Sequence, residues 1–447
     1  MNAPVIVIFG ITGDLSKRKL LPALYHLLAQ DMLPEETKIV GISRHALDAG
    51  ELLNSVELCV LEKDNVCDPV GLGRVRNSLQ SLQLDPENAD DFHKLKELLD
   101  SFDGDQPARR LMYMSIPPSA YPPIISNLAN AGLNDDRTSL LLEKPFGYDL
   151  ESAQNLIDLV DTHFQEEHIY RIDHYLDKET AQNLLAFRLH NPIFATIWNA
   201  GHIKQVYIRA IEKIGVEGRA SFYEQTGALR DFVQSHLIQL LSITMMDIPT
   251  DMSSQAIHTS KENFMEQLEP ASPGSAVRAQ YNGYKDEVNN PGSFVETYAR
   301  LHLKHTAERW QGTEIILETG KGLDDKRTEV IVEFKEPGEE LGNKLTFYIQ
   351  PDEGIGLDLV VKEPGYENSL GQAALEFDYQ SRFSDNQHID AYERVLLDAV
   401  RGDQSLFASK REVLASWHVL DQLMHAWLKD GEGLKHYDLG ANTDAIS

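Results

Sequence analysis

Apolar residues recur in two different patterns along this chain, and the change comes near residue 177. Before it, short unbroken apolar runs alternate with amphipathic stretches. PVIVIF (4–9) is continuous and rich in β-branched residues, the pattern of a strand buried on both faces of a parallel sheet. GITGD follows, then the amphipathic LSKRKLLPALYHLLAQ. KIVGIS, LMYMSIP and TSLLLEKPFG read as further strands, with PPIISNLANAGL as a helix between the last two. Such alternation predicts a βαβ-wound sheet. Residues 51–99 read as mostly helical and charged.

Beyond residue 177 the helical KETAQNLLAFRL and ALRDFVQSHLIQLLSITMM are set among strands of alternating polarity. These are KQVYIRAIEK, FVETYARLHLKH, TEVIVEFK, KLTFYIQ and GLDLVVKE. AYERVLLDAVRGD and REVLASWHVLDQLMHAWLKD close the chain as helices. Runs of strands and runs of helices predict an α+β domain with a mostly antiparallel sheet. At 447 residues the chain is too long for one core of ordinary size. The expectation is an α/β, Rossmann-like dinucleotide-binding domain over 1–175 and a larger α+β domain over 176–447.

Charge changes what counts as a signal. A net charge of −29 opposes non-specific attraction to nucleic acid or anionic lipid. Any anionic ligand must be held by clustered Lys, Arg or helix N-termini against that field. No apolar run reaches membrane-spanning length, and MNAPVIVIFG lacks the basic start of a signal peptide. Cys59 and Cys67 supply neither a disulfide framework nor a zinc site. A cytoplasmic protein with no nucleic-acid, membrane or metal partner is expected.

GITGDL (Gly10 to Leu15) lies between a buried strand and a helix. Gly10 permits a tight turn, and Gly13 lets the backbone approach a pyrophosphate at the helix N-terminus. The spacing G-x-x-G-D-L is not the full G-x-G-x-x-G, so a plain strand-to-helix turn fits as well. Its place at the C-terminal end of the first strand favours a ligand. Arg44 follows KIVGIS, where NAD sites usually carry an acid; a basic residue there suits the 2′-phosphate of NADP. Lys144, in EKPFG, leaves another apolar strand on the same functional edge, and its bond to Pro145 is open to either isomer.

RIDHYLDKE (171–179) is dense in charge. If Ile169 to Tyr175 is extended, Asp173 shares a face with Arg171 and Tyr175, and His174 points the other way. Asp177 suits an N-cap, with Lys178 in the first turn; His174, Lys178 and the helix start then suit a phosphate, although a solvated, capped turn would look the same. In ALRDFVQSHLIQLL, His236 falls within an apolar stripe with Leu229, Phe232, Val233 and Leu240. It is either a satisfied core histidine or a general base. Asp231 lies roughly opposite His236 on a continuous helix, so the two share a pocket only if the helix starts near Asp231 or bends. TGKGLDDK sets Lys321 and Lys326 in a loop, where an anionic ligand or plain solvation would each serve.

Taken in order and spacing, GITGDLSKRKLLPALYHL, EKPFGYDLESAQ, YRIDHYLDKETAQNLLAFR, GVEGR, GALRDFVQSHLIQLL and RWQGTEIILETGKGLDDKRTEV resemble the bacterial-type glucose-6-phosphate dehydrogenase family. The resemblance runs through almost the whole chain. It implies oxidation of β-D-glucose 6-phosphate to 6-phospho-D-glucono-1,5-lactone with hydride passing to NADP, the first step of the oxidative pentose phosphate pathway. It also implies a homodimer or homotetramer formed through the second domain's sheet. By motif position it gives His236 the general base, Asp173 the orienting carboxylate, and His174, Tyr175 and Lys178 the sugar phosphate. Glu212, Asp231, Lys321 and Lys326 become substrate contacts, and Lys144 reaches substrate and cofactor. Gly10, Thr12, Gly13, Asp14, Leu15 and Arg44 become cofactor contacts, with Asp85 near the adenosine.

Two positions depart from the family pattern: Asp177 stands where glycine is usual, and Gly322 where a basic residue is common. Another NADP-dependent sugar dehydrogenase with an EKP turn is a competing reading, and RIDHYL and GALRD oppose it. A non-catalytic protein on the same scaffold would be expected to lack His236 or Asp173.

Overall fold

The computed structural model describes residues 3–47, 49–64, 67–104, 107–173, 175–176, 179–336, 341–383, 389–429 and 431–446. The chain forms two compact units. The first comprises residues 1–147, 151–177 and 388–410, and the second 148–150, 178–387 and 411–447.

The first unit is built on six parallel strands: β1 (Val5–Phe9), β2 (Lys38–Ser43), β3 (Leu79–Gln83), β4 (Arg110–Met114), β5 (Thr138–Leu142) and β6 (Ile169–Arg171). Their spatial order is β3-β2-β1-β4-β5-β6. β1, β4 and β5 are buried along their whole length, which explains their unbroken apolar runs. Ile6 and Ile8 join Leu24, Val56 and Leu396 in one core, while Phe9, of opposite parity, stacks on Phe92 of the helix Ala89–Asp100.

β3 falls inside the stretch read as mostly helical. Its sequence, LQSLQ, is an edge strand with polar residues at three of five positions, and its burial is partial. A strand that hides little carries little apolar pattern. The helix Ala391–Arg401 falls within the 176–447 span expected for the second domain. It instead supplies Val395, Leu396, Ala399 and Val400 to the first unit's core.

The second unit carries β7 (Ile203–Ile211), β8 (Ala276–Tyr281), β9 (Tyr298–Leu303), β10 (Glu314–Gly320), β11 (Arg327–Phe334), β12 (Lys344–Gln350), β13 (Gly354–Lys362), β14 (Leu370–Asp378) and β15 (Leu434–Tyr437). Their order is β14-β13-β12-β11-β7-β10-β9-β8-β15. Neighbours are antiparallel except at β7–β10 and β8–β15, which are parallel. Helices of this unit are pinned by a buried charge cluster. The Glu412 carboxylate accepts from Gln239 at 2.9 Å, lies 2.8 Å from the Lys261 ammonium, and meets His258 Nδ1 at 2.7 Å. These residues come from the helices Lys410–Lys429, Ile238–Met245 and Ser254–Met265. Among the described residues no helix is long and apolar enough to cross a membrane.

Candidate active site

At the C-terminal ends of β1, β2 and β4 the first unit opens a cleft of about 490 Å³, lined by Gly10, Thr12, Gly13, Ser43, Arg44 and Ser115 among others. It lies where the strand order reverses between β1 and β4, the place where such sheets take a ligand. Gly10 has φ +81°, and a Cβ there would stand 2.3 Å from the Ser115 carbonyl oxygen. The Gly13 N–H closes the turn onto Gly10 O at 2.9 Å. Ser16 Oγ donates to Gly10 O at 3.0 Å and lies 2.9 Å from Ser115 Oγ, tying the turn to the end of β4. A floor of backbone without side chains at a helix start fits a pyrophosphate.

Arg44 is exposed on the wall of this cleft, and its carbonyl accepts from Gln83 Nε2 at 3.1 Å. Ser43 and His45, which flank Arg44 in GISRH and carry no motif of their own, line it too. Asp14 points into solvent and pairs with Arg18 at 2.8 Å, while Leu15 packs against the core. Asp85 Oδ1 accepts the Glu87 N–H at 3.1 Å, shaping the turn whose neighbours Leu84 and Pro86 line the cleft. Its side chain builds the wall's support.

β5 and β6 are parallel neighbours in the register Leu142↔Arg171, so the residues that follow them emerge at one edge. The Lys144–Pro145 bond is cis. Before it, Glu143 accepts the Tyr113 hydroxyl at 2.5 Å, and its carbonyl accepts Tyr121 at 3.2 Å. Burial pushes the Glu143 carboxyl up to about 7; the Tyr113 bond and Lys144 oppose this, and the charge of Asp173 adds to it.

The extended run expected through Tyr175 ends at Arg171. Asp173 Oδ1 accepts the Tyr175 N–H at 3.1 Å, and its carbonyl accepts Leu176 at 2.9 Å, so the chain turns. An aspartate that bonds an amide two residues on replaces strand alternation with a turn. Asp173 and Tyr175 are both buried. Arg171, the first charge of the motif, is structural: it grips Glu166 at 2.7 and 3.0 Å, and its carbonyl accepts Ala408 N–H at 3.0 Å. His174, Asp177 and Lys178 lie outside the described residues.

In the second unit the parallel pairing of β7 with β10, in the register Ile211↔Gly320, delivers Glu212 and Lys321 to the same edge. The Lys321 ammonium donates to the Glu212 carboxylate. It also lies 5.5 Å from the Tyr223 ring and 5.8 Å from that of Phe232. Phe232 meets His236 edge to face at 5.5 Å. Burial raises the Tyr223 hydroxyl well above its usual range, and the nearby charges of Asp231 and Glu296 add to that. Through Tyr223 and Phe232, then, Glu212, Asp231, Lys321 and His236 gather around one locus. Phe232 sat in the stripe read as core, and Tyr223 carried no motif.

Helix geometry settles how Asp231 and His236 share it. Gly227, at φ +61° and ψ −176°, breaks the preceding helix, and Leu229–Leu237 is wound with i→i+5 hydrogen bonds. In α geometry residues five apart diverge by about 140°; i→i+5 winding stacks them on one side. Lys326 is exposed on a second cleft of about 400 Å³, with Asp325, Arg327, Tyr348 and Glu376. Gly322 has a local reason: φ is +64°, and a Cβ would stand 2.5 Å from Leu439 Cδ2. The Tyr437 hydroxyl holds the Lys321 carbonyl at 2.6 Å.

The family models for the glucose-6-phosphate dehydrogenase NAD binding domain and C-terminal domain match residues 7–183 and 185–445. A glucose-6-phosphate 1-dehydrogenase of Rhizobium meliloti (strain 1021) is 34% identical over 460 residues, covering 97% of this chain and 93% of that protein. One of Chlamydia muridarum (strain MoPn / Nigg) is 36% identical over 461 residues, covering 95% and 90%. A solved structure of glucose-6-phosphate dehydrogenase in complex with its substrate glucose-6-phosphate superposes with a TM-score of 0.92 at 29% identity, covering 98% of this chain and 95% of that one.

Proposed function

The chain belongs to the glucose-6-phosphate dehydrogenase family, and from that premise we infer that it oxidises β-D-glucose 6-phosphate to the 1,5-lactone with NADP. The observation that carries this reading is the gathering of Glu212, Lys321, Asp231 and His236 in the second unit. NADP, when bound, supplies the hydride acceptor. The Gly10–Gly13 backbone, with Thr12, holds its pyrophosphate, and the Arg44 guanidinium takes its 2′-phosphate. Asp14 and Leu15 contribute through the helix start, and Asp85 through its turn.

Hydride leaves an anomeric carbon only as its hydroxyl loses a proton, so a base is required. We assign that base to His236 and the orienting carboxylate to Asp173. Glu212, Asp231 and Lys321 hold the sugar, Lys326 is assigned to it by motif position alone, Lys144 reaches both sugar and cofactor, and His174, Tyr175 and Lys178 take the phosphate.

Cofactor reduction with glucose 6-phosphate, run with NADP and with NAD, tests the reaction and Arg44 together. Arg44→Ala should raise KM for NADP about tenfold, the loss of one charge-assisted bond, and leave NAD unchanged. No sugar-dependent reduction of either cofactor would remove the functional reading. We further propose a cytoplasmic homodimer or homotetramer joined at the second unit's sheet. The exposure of Leu375 on β14 and Val361 on β13, which the strand register puts on one face of the sheet, supports this. Cell fractionation and sedimentation equilibrium test it, and a monomer at micromolar concentration counts against it.

A further inference from the structure

We propose that Glu296 is a positioning residue, whose carboxylate fixes where the helix bearing Asp231 and His236 begins and therefore which face of that helix meets the sugar. The proposal rests on the reaction inferred above but concerns a residue that no motif singled out. Glu296 stands two residues before β9 and is 7% exposed.

The helix Leu229–Leu237 has no local cap: Ala228 precedes it, and no side chain there accepts a hydrogen bond. Helix starts leave several amides without partners, and a buried start needs them satisfied. Here the cap comes from far along the chain. Glu296 Oε1 accepts the Leu229 N–H at 2.9 Å, and the Glu296 carbonyl accepts the Ala228 N–H at 3.0 Å. A carboxylate at the positive end of a helix is also favoured by the helix dipole.

Gly227 is the other half of the device. A Cβ at this position would stand 2.4 Å from Glu296 Oε1 and 2.8 Å from its Cδ. The carboxylate thus occupies the space that any side chain at 227 would need, and the left-handed φ of +61° independently demands glycine. Carboxylate and backbone break fit one another, and together they set the first residue of the helix. A slip of one residue would turn Asp231 and His236 by roughly a quarter turn about the axis of this i→i+5 helix, carrying both off the locus shared with Lys321.

Two conservative variants separate reach from charge. Glu296→Gln keeps an oxygen at the same distance and loses the charge; Glu296→Asp keeps the charge and withdraws it by one methylene. The expected result is a Gln variant within about threefold of the parent kcat and an Asp variant about 10- to 100-fold slower, the scale of a misplacement near 1 Å. KM for NADP should stay within about twofold in both, since the cofactor cleft of the first unit is untouched. Equal kcat values, or a slower Gln variant, overturn the proposal, and so does a parallel rise in KM for NADP. Amide exchange at Leu229, faster in the Asp than in the Gln variant, reads the same contact without substrate. An inactive parent chain would therefore sink the reaction while leaving this test intact, and unchanged exchange would sink the contact whatever the activity.

Discussion

Replacing His236 by Asn should lower kcat by about 10²- to 10⁴-fold, the range lost with a general base, while KM for glucose 6-phosphate stays within a few-fold. Asn preserves the size and hydrogen-bonding edge of the imidazole and cannot take up a proton. Any loss is therefore chemical rather than steric. The site favours a clean outcome: His236 is buried, edge-on to Phe232, on a helix whose start is clamped. Water has poor access to replace the base. Initial rates from the absorbance of the reduced cofactor, with substrate binding measured separately by calorimetry, provide the check. A variant that turns over near the parental rate would mean that the proton goes elsewhere.

The second large effect is on stability. Glu412→Ala should cost about 3–5 kcal/mol, because it leaves the Lys261 ammonium buried without its partner. The pH dependence carries the same signature. Burial pushes the Glu412 carboxyl up, but Lys261 and His258 outweigh it and hold the group at about 2. A carboxyl lowered in the folded state stabilises above its unfolded value, about 4.3. That contribution is lost as pH falls from there towards 2. Urea titrations from about pH 5 to about pH 3, through the upper part of that window, should show the parent losing more stability than Glu412→Gln. Parallel curves would show that the cluster contributes nothing as ions.

The legible parts of the fold were those where burial imposes a pattern. β1, β4 and β5, covered on both faces, stand out as apolar runs, and the Gly10 turn between them is readable because glycine is forced there. β3, β14 and β15 hide little, and their sequences resemble loops. In the candidate site, residues carrying charge next to glycine or proline were visible. Those that organise it were not. Tyr223 and Phe232 look like ordinary core, and Glu296 like a strand-edge acid. The amide that opens Leu229–Leu237 is met by a carboxylate 67 positions away in sequence, a partner that local periodicity could not reveal. The turn at Asp173 was missed for a smaller reason: one side-chain bond to Tyr175 N–H outweighs the strand propensity of its neighbours.

The late arrival of the helix Ala391–Arg401 in the first unit has a consequence during synthesis. When its own sheet is complete the nucleotide-binding unit still lacks part of its core, because Val395, Leu396, Ala399 and Val400 are unmade. Through translation of more than two hundred intervening residues, the apolar face around Leu20 and Leu24 lacks the helix that packs on it in the finished fold. The species at risk of aggregation is thus expected to be the nascent chain rather than the finished one. A fragment ending at residue 177 should bind hydrophobic dyes, and adding the 388–410 peptide should suppress that signal. A dye-silent fragment would show that the unit closes without its last helix.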